Sequence, residues 1–222
     1  MSTRRGALIV FEGCDRSGKT THVKQLVDRL NKLEKPTEMM RFPDRTTGIG
    51  SVIDNYLTYA QEVEDRAIHL LFSANRWEQE RKIRSRLASG THVIIDRYAY
   101  SGVAFSGAKP GLSLAWCKQP DVGLPRPDLV IFLDVSEEVA KQRGGFGEER
   151  YEVAEFQRRV RKNYNLLRDS SWVEVSAAGS LDEVATALVK LVEEEVEKTR
   201  GNLGGLWQDG GGESNLCSSE WR

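Results

Sequence analysis

Apolar residues fall in two alternating patterns along this chain, short continuous runs and stripes of helical period. Ala7-Leu8-Ile9-Val10-Phe11 is an unbroken run bounded by a glycine on one side and Glu12-Gly13 on the other, which predicts a buried strand. Val23, Leu26, Val27, Leu30 and Leu33 then recur at the spacing of one helix face, and Pro36 ends that helix. Glu38–Phe42 reads as a second strand stopping at Pro43, a short helix follows over Ile49–Leu57, and one longer helix spans about 64–87 before Gly90. Strands follow at Thr91–Tyr98, Asp128–Leu133 and Trp172–Val175. Ser136 caps a short helix, another covers about 152–167, and Ser180 with Glu183 forms a capping box for a last helix carrying Leu181, Val184, Leu188, Leu191 and Val192. Continuous apolar strands alternating with helices predict an α/β fold with a parallel sheet.

Composition narrows the function classes. At 222 residues with a formal net charge of −1, the chain suits one α/β unit over residues 1–200. Its basic residues are interleaved with acidic ones, so no nucleic-acid partner is expected. No apolar run is long enough to span a bilayer, and no membrane association is expected. Cys14, Cys117 and Cys217 lack metal-ligand spacing and suit a reducing, cytoplasmic setting. His92 reads as a surface residue. From Gly201 onward glycine, serine and polar residues dominate, which predicts a disordered tail over 201–222.

The candidate chemistry begins at Gly13-Cys14-Asp15-Arg16-Ser17-Gly18-Lys19-Thr20, between the first strand and the first helix. This is the spacing of a phosphate-binding loop: the glycines let the backbone wrap an anion, Lys19 and the helix amino end bring positive charge, and Thr20 offers a hydroxyl to Mg2+. Asp96, at the carboxyl end of a core strand, suits the acidic partner of that ion, and Arg97 beside it suits a transferring phosphate. Arg45, in a turn after the second strand, reads either as a solvated arginine or as a clamp for a second anion. Phe72 and Arg76 lie four residues apart on one helix face; on spacing alone Phe72 joins the core and Arg76 is solvated. Ala67, Leu70, Leu71 and Ala74 form an apolar stripe that spacing leaves as core or interface.

The segments Asp96-Arg97-Tyr98-Ala99-Tyr100-Ser101-Gly102-Val103-Ala104-Phe105, Phe42-Pro43-Asp44-Arg45, Phe72-Ser73-Ala74-Asn75-Arg76-Trp77 and Trp116 to Pro125, in this order with the glycine loop, resemble the thymidylate kinase family of eukaryotic type. The resemblance is dense over residues 6–160 and loose beyond. It implies a P-loop nucleoside monophosphate kinase fold, a five-stranded parallel sheet with helices on both faces and a small lid at about 141–151. It implies phosphorylation of dTMP by ATP with Mg2+, and a homodimer formed through helices. Arg16, Ser17, Gly18, Lys19, Thr20, Thr21 and Arg97 would hold ATP phosphates, with Arg143 and Gly179 at adenine and Thr20 and Asp96 at the metal. Arg16, Lys19, Asp96 and Arg97 would be the catalytic set. Arg45 would grip the acceptor phosphate, Phe72 would stack on thymine and Arg76 would bond its edge, which overturns the spacing-only reading of that pair. Asp15 would meet the sugar 3′-hydroxyl, Phe105 would crowd the 2′ position, and Phe42, Ser101, Gly102 and Tyr151 would complete the pocket. Where the family often has an ATP-binding arginine in the last helix, this chain has Val189 beside Lys190.

Two other classes compete. A deoxynucleoside kinase acting on thymidine shares the loop and the Asp-Arg pair but has no use for a second phosphate clamp. A nucleotide-dependent switch reads guanine with a late Asn-Lys-x-Asp element, and the nearest match, Asn31-Lys32-Leu33-Glu34, is early and inside the first helix.

Overall fold

In a computed structural model that describes residues 4–136, 149–199 and 201–208, the apolar runs form one five-stranded sheet. The strands are β1 (Leu8–Glu12), β2 (Thr37–Arg41), β3 (His92–Asp96), β4 (Leu129–Asp134) and β5 (Trp172–Ser176). The helices are α1 (Lys19–Lys32), α2 (Gly48–Leu57), α3 (Asp65–Trp77), α4 (Glu80–Ala88), α5 (Ala99–Ser106), α6 (Leu114–Lys118), α7 (Ala154–Leu167) and α8 (Leu181–Lys198). A 3-10 turn, Gln119–Asp121, follows α6. The sheet order is β2-β3-β1-β4-β5 and every pairing is parallel.

Alternation along β1 builds two cores. Leu8 and Val10 face a layer with Ile83 and Leu87 of α4, Val103 of α5 and Val160 of α7. Ile9 and Phe11 face Leu26 and Leu30 of α1 and Leu188 and Val192 of α8. Both faces of the sheet are thus covered, as buried parallel strands require. Register aligns Arg41 with Asp96 and Asp96 with Phe11, so the carboxyl ends of β1, β2 and β3 share one edge. Helices connect to β1's two neighbours on opposite sides, and the crevice at such a switch point is where open α/β sheets bind ligands.

Three expectations change. The single helix over 64–87 is two: α3 packs Ile68 in a small cluster with Ile53 and Leu57 of α2, whereas α4 sends Ile83 and Leu87 into the sheet core. One straight helix cannot serve both layers, and the chain breaks at Glu78–Gln79, where Asn75 and Gln79 bond the Asp44 turn. His92 is buried, its Nδ1 accepting from the Ala7 amide at 3.0 Å. The predicted tail is ordered over 201–208: Leu206 is buried, its amide donates to the Leu124 carbonyl at 2.7 Å, its carbonyl accepts from Gly123 at 3.0 Å, and Trp207 meets Tyr100 edge-on at 5.5 Å. Residues 209–222 lie outside the described residues, as do the helix expected after Ser136 and the lid up to 148.

The α3 stripe divides: Ala67 and Leu70 are exposed, Ala74 is half-buried and Leu71 packs against the Ile53–Ile68 cluster, while Ile68, His69 and Ser73 point inward. The Ser180–Glu183 capping box forms as expected. Among the described residues no helix is long and apolar enough to cross a membrane.

Candidate active site

At the carboxyl edge of the sheet a cavity of about 390 Å3 runs from the β1–α1 loop to the α3–α5 contact. Its loop end is built by backbone geometry. Gly13 has φ 147°, and a Cβ there would lie 2.6 Å from the Leu133 carbonyl oxygen, so only glycine lets the loop pass β4. The turn brings the carbonyls of Gly13 and Cys14 and the Ser17 hydroxyl onto the Lys19 ammonium at 3.1, 2.7 and 3.0 Å. Burial, with a smaller push from Arg97, lowers the Lys19 pKa to about 8. Beside it the Thr20 hydroxyl donates to Asp96 Oδ2 at 2.5 Å, and Arg41 Nε stands 3.7 Å from the same oxygen.

Arg97 follows β3 with φ 67° and points back across the loop. Its guanidinium pairs with Asp15, donates to the Gly13 carbonyl and the Ser101 hydroxyl at 3.3 Å each, and lies 5.2 Å over the Phe105 ring. Burial opposes its charge, but Asp15 and the neighbouring acids outweigh burial and hold its pKa above the ordinary arginine value. Asp15 is fixed on its other side by the Gln157 amide at 2.6 Å.

The far end holds an ion pair taken wholly out of water. Arg76 donates through Nε and Nη2 to the two oxygens of Asp121 at 3.0 and 2.6 Å, and Ser73 donates to the same carboxylate at 2.7 Å. The Arg76 and Asp121 side chains are 2% and 0% exposed. Gly102 makes this possible, because a Cβ on it would fall 2.7 Å from Arg76 Nη2. Phe72, Phe42 and Phe105 supply aromatic wall, and Tyr151 stacks on Phe156 with ring centres 5.1 Å apart. Arg45 enters from the side, donating to Asp54 at 2.6 Å and Glu149 at 2.7 Å, while Arg16 donates to Glu152 at 2.8 Å.

Asp15, Arg16, Gly18, Lys19, Thr20 and Thr21 therefore line the same cavity as Phe42, Arg45, Phe72, Arg76, Asp96 and Arg97, together with Ser101, Gly102, Phe105 and Tyr151. Ser17 is buried behind the loop, serving Lys19. Gly179 is exposed on the β5–α8 loop and does not line the cavity; Arg143 lies outside the described residues.

The comparisons with known proteins agree with this geometry. A family model described as "Thymidylate kinase" matches residues 11–188. The chain is 48% identical to thymidylate kinase of Homo sapiens over 212 residues, covering 94% of this chain and 100% of that one. It is 50% identical to thymidylate kinase of Arabidopsis thaliana over 205 residues, 91% of this chain and 78% of the other. The chain belongs to the thymidylate kinase family. The solved structure of thymidylate kinase from Candida albicans superposes with TM-score 0.83 at 35% identity, covering 92% of this chain and 100% of that one. The P-loop nucleoside monophosphate kinase fold is thereby shown as well.

Several members of this thymidylate kinase site escape a reading of the sequence. Glu12, at the end of β1, is fully buried and accepts from the amides of Tyr98 and Ser101 at 3.0 Å each, the Ser101 hydroxyl at 2.5 Å and the Tyr164 hydroxyl at 3.1 Å. Burial pushes its pKa up, although those donors and Arg97 pull the other way. A buried acid inside an apolar strand is its only signal in the sequence. Asp121, Asp54, Glu149, Glu152 and Gln157 carry no such signal, since each is a polar residue in a turn or on a helix.

Proposed function

We propose that this chain transfers the terminal phosphoryl group of ATP to dTMP, giving ADP and dTDP, with the cavity holding the two nucleotides head to head. The observation that carries the reading is the cavity's polarity: an anion cradle at Lys19, a separate guanidinium at Arg45, and between Phe72 and Arg76 a slot walled by an aromatic ring and a hydrogen-bond donor. A thymidine kinase would need no cation at Arg45.

In this reading the 15–20 backbone and Lys19 hold the ATP phosphates, with Thr21 at their margin. Arg45 takes the acceptor phosphate, a bidentate match for a guanidinium. Phe72 stacks on the base and Arg76 bonds its 4-oxo group. Asp15 meets the 3′-hydroxyl, and Phe105, backed by Tyr151, disfavours a 2′-hydroxyl. The acceptor is already an anion, so no strong general base is required; alignment and charge neutralisation dominate. Arg97 and Arg16 stand where charge gathers on the moving phosphoryl group, a position worth roughly 10³ to 10⁵ in rate for arginines in related phosphoryl transfers.

The Thr20 hydroxyl and Asp96 carboxylate are both hard oxygen donors on the loop side of the cavity, which fits Mg2+, an ion that binds one or two protein oxygens plus phosphates and waters. When bound it would neutralise charge on the phosphate oxygens. The outward α3 face, with Leu70 48% and Trp77 40% exposed, supports a homodimer, and the two buried free thiols support a cytoplasmic setting.

A panel of nucleoside monophosphates and thymidine, each offered with ATP and Mg2+, tests the reading by product chromatography. dTDP should form fastest. Phosphorylation of thymidine, with dTMP left untouched, would overturn it.

A further inference from the structure

Glu12, the last residue of β1, is fully buried and does not line the cavity, so it can act on a ligand only through its neighbours. Its carboxylate faces the start of α5. Oε1 accepts from the Tyr98 and Ser101 amides at 3.0 Å each. Tyr98 is the N-cap of α5, and its own side chain caps nothing. In an ordinary capping box the N-cap side chain takes one of these two amides and the third helical residue takes the other. Here one carboxylate from a strand 86 positions upstream does both, and the positive end of the helix suits its charge.

Arg97 sits just before this cap, in the left-handed region at φ 67°, which a residue with a side chain keeps only where its surroundings hold it there. β1 grips the turn on both sides of it: the Arg97 amide donates to the Phe11 carbonyl at 2.9 Å, and the Tyr98 amide to Glu12. The same carboxylate reaches the guanidinium by a second route. Oε2 accepts from the Ser101 hydroxyl at 2.5 Å and from Tyr164 at 3.1 Å. A guanidinium only donates, so the Ser101 oxygen, with its hydrogen turned to Glu12, is the acceptor for Arg97 Nη1 at 3.3 Å. Backbone and side chain of Arg97 are thus both tied to one buried acid. Building on the reaction proposed above, we propose that Glu12 is a positioning residue for phosphoryl transfer, fixing the turn and the Ser101 hydroxyl that aim Arg97 across the phosphate loop.

Steady-state kinetics with ATP, Mg2+ and dTMP test this beside an NMR readout that needs no turnover. Glu12→Ala should lower kcat about a hundredfold, the scale of a misplacement by about 1 Å, while the KM for ATP moves less than about threefold. In an Arg97→Ala background the same change should lower kcat by less than about threefold, because Glu12 acts through that arginine. A merely structural acid would remove the same factor in both backgrounds. Glu12→Gln keeps an oxygen for the two amides and should hold kcat within about threefold of wild type. Where Glu12→Ala fails to fold, Glu12→Asp, one methylene shorter, takes its place and should lower kcat about tenfold, again only while Arg97 is present. With isotope-labelled arginine, the Arg97 guanidinium signal, identified by its loss in Arg97→Ala, should be sharp in wild type and Glu12→Gln. It should shift or broaden in Glu12→Ala or Glu12→Asp. Equal kcat losses in the two backgrounds, or an Arg97 signal unchanged by those two substitutions, would overturn the proposal. The signal does not depend on the acceptor, so a protein that leaves dTMP untouched yet loses the sharp Arg97 signal would refute the proposed reaction while supporting the hold of Glu12 on Arg97.

Discussion

Removing the charge of Asp121 is the sharpest perturbation the site offers, because it touches both the fold and the base slot through one contact. Asp121→Asn keeps the shape but leaves the Arg76 guanidinium, 2% exposed, without its counter-charge. Breaking a buried pair from one side costs about 3–5 kcal/mol, several times the worth of a surface pair. Total stability of a domain is about 5–15 kcal/mol, so the variant should fold but melt early, by roughly 6 to 11 °C for a chain of this size. Thermal unfolding by circular dichroism reads the first effect. Calorimetric titration with dTMP reads the second, which should be a loss of at least about tenfold as Arg76 leaves its two-point clamp. The companion variant Arg76→Met with Asp121→Leu separates the two, because swapping both charges for apolar groups is often neutral for stability. It should melt near wild type and still bind dTMP poorly. An Asp121→Asn protein that melts within about 1 °C of wild type and binds dTMP equally well would refute the reasoning.

Lys19, whose pKa burial lowers to about 8, should take up a proton when ATP phosphates arrive at pH 8.5, where the amine is largely neutral, and none at pH 6.5, where it is already charged. Binding enthalpies in buffers of different ionisation heat measure this, and uptake that is the same at both pH values would contradict it. Arg45→Ala should raise the KM for dTMP by about tenfold or more while shifting stability by less than about 1 kcal/mol, since its ion pairs are a third exposed. Steady-state kinetics beside a melting curve decide it, and unchanged kinetics remove Arg45 as the acceptor clamp. Leu206→Ala, outside the cavity lining, should cost about 2–5 kcal/mol in urea unfolding because the side chain is buried in the core cluster with Leu124. A variant as stable as wild type would return this segment to the status of a loose tail.

The strands were readable because a parallel sheet buried on both faces writes itself as continuous apolar runs, Leu8–Phe11 and Leu129–Leu133 being the plainest. The phosphate loop was readable because its backbone demands glycine at fixed spacing. The break between α3 and α4 was not, as neither proline nor glycine marks it and only the competition between two cores requires it. Arg76 looked solvated on spacing because its partner, Asp121, sits 45 positions downstream in a turn with no periodic pattern. The 201–208 segment has the composition of a loose tail, yet the apolar side chains of Leu203, Leu206 and Trp207 and backbone bonds with Leu124 and Arg126 hold it. The arginines of the site could be named from the sequence through the family resemblance, as could Asp15, whereas the carboxylates that hold Arg16, Arg45 and Arg76 could not, since a single acid on a turn or helix carries no signature.

Each of those arginines rests on an acid: Arg16 on Glu152, Arg45 on Asp54 and Glu149, Arg76 on Asp121, Arg97 on Asp15. Under the proposed function, arrival of a nucleotide at Arg16, Arg45 and Arg97 would therefore be a swap of anions and not the filling of a bare positive bowl. A singly charged visitor such as chloride offers too little to dislodge a carboxylate held at bonding distance, whereas a phosphate dianion with three oxygens can. On that reading the resting protein would be buffered against the salts around it, its guanidiniums staying with their own carboxylates until a phosphate displaces them.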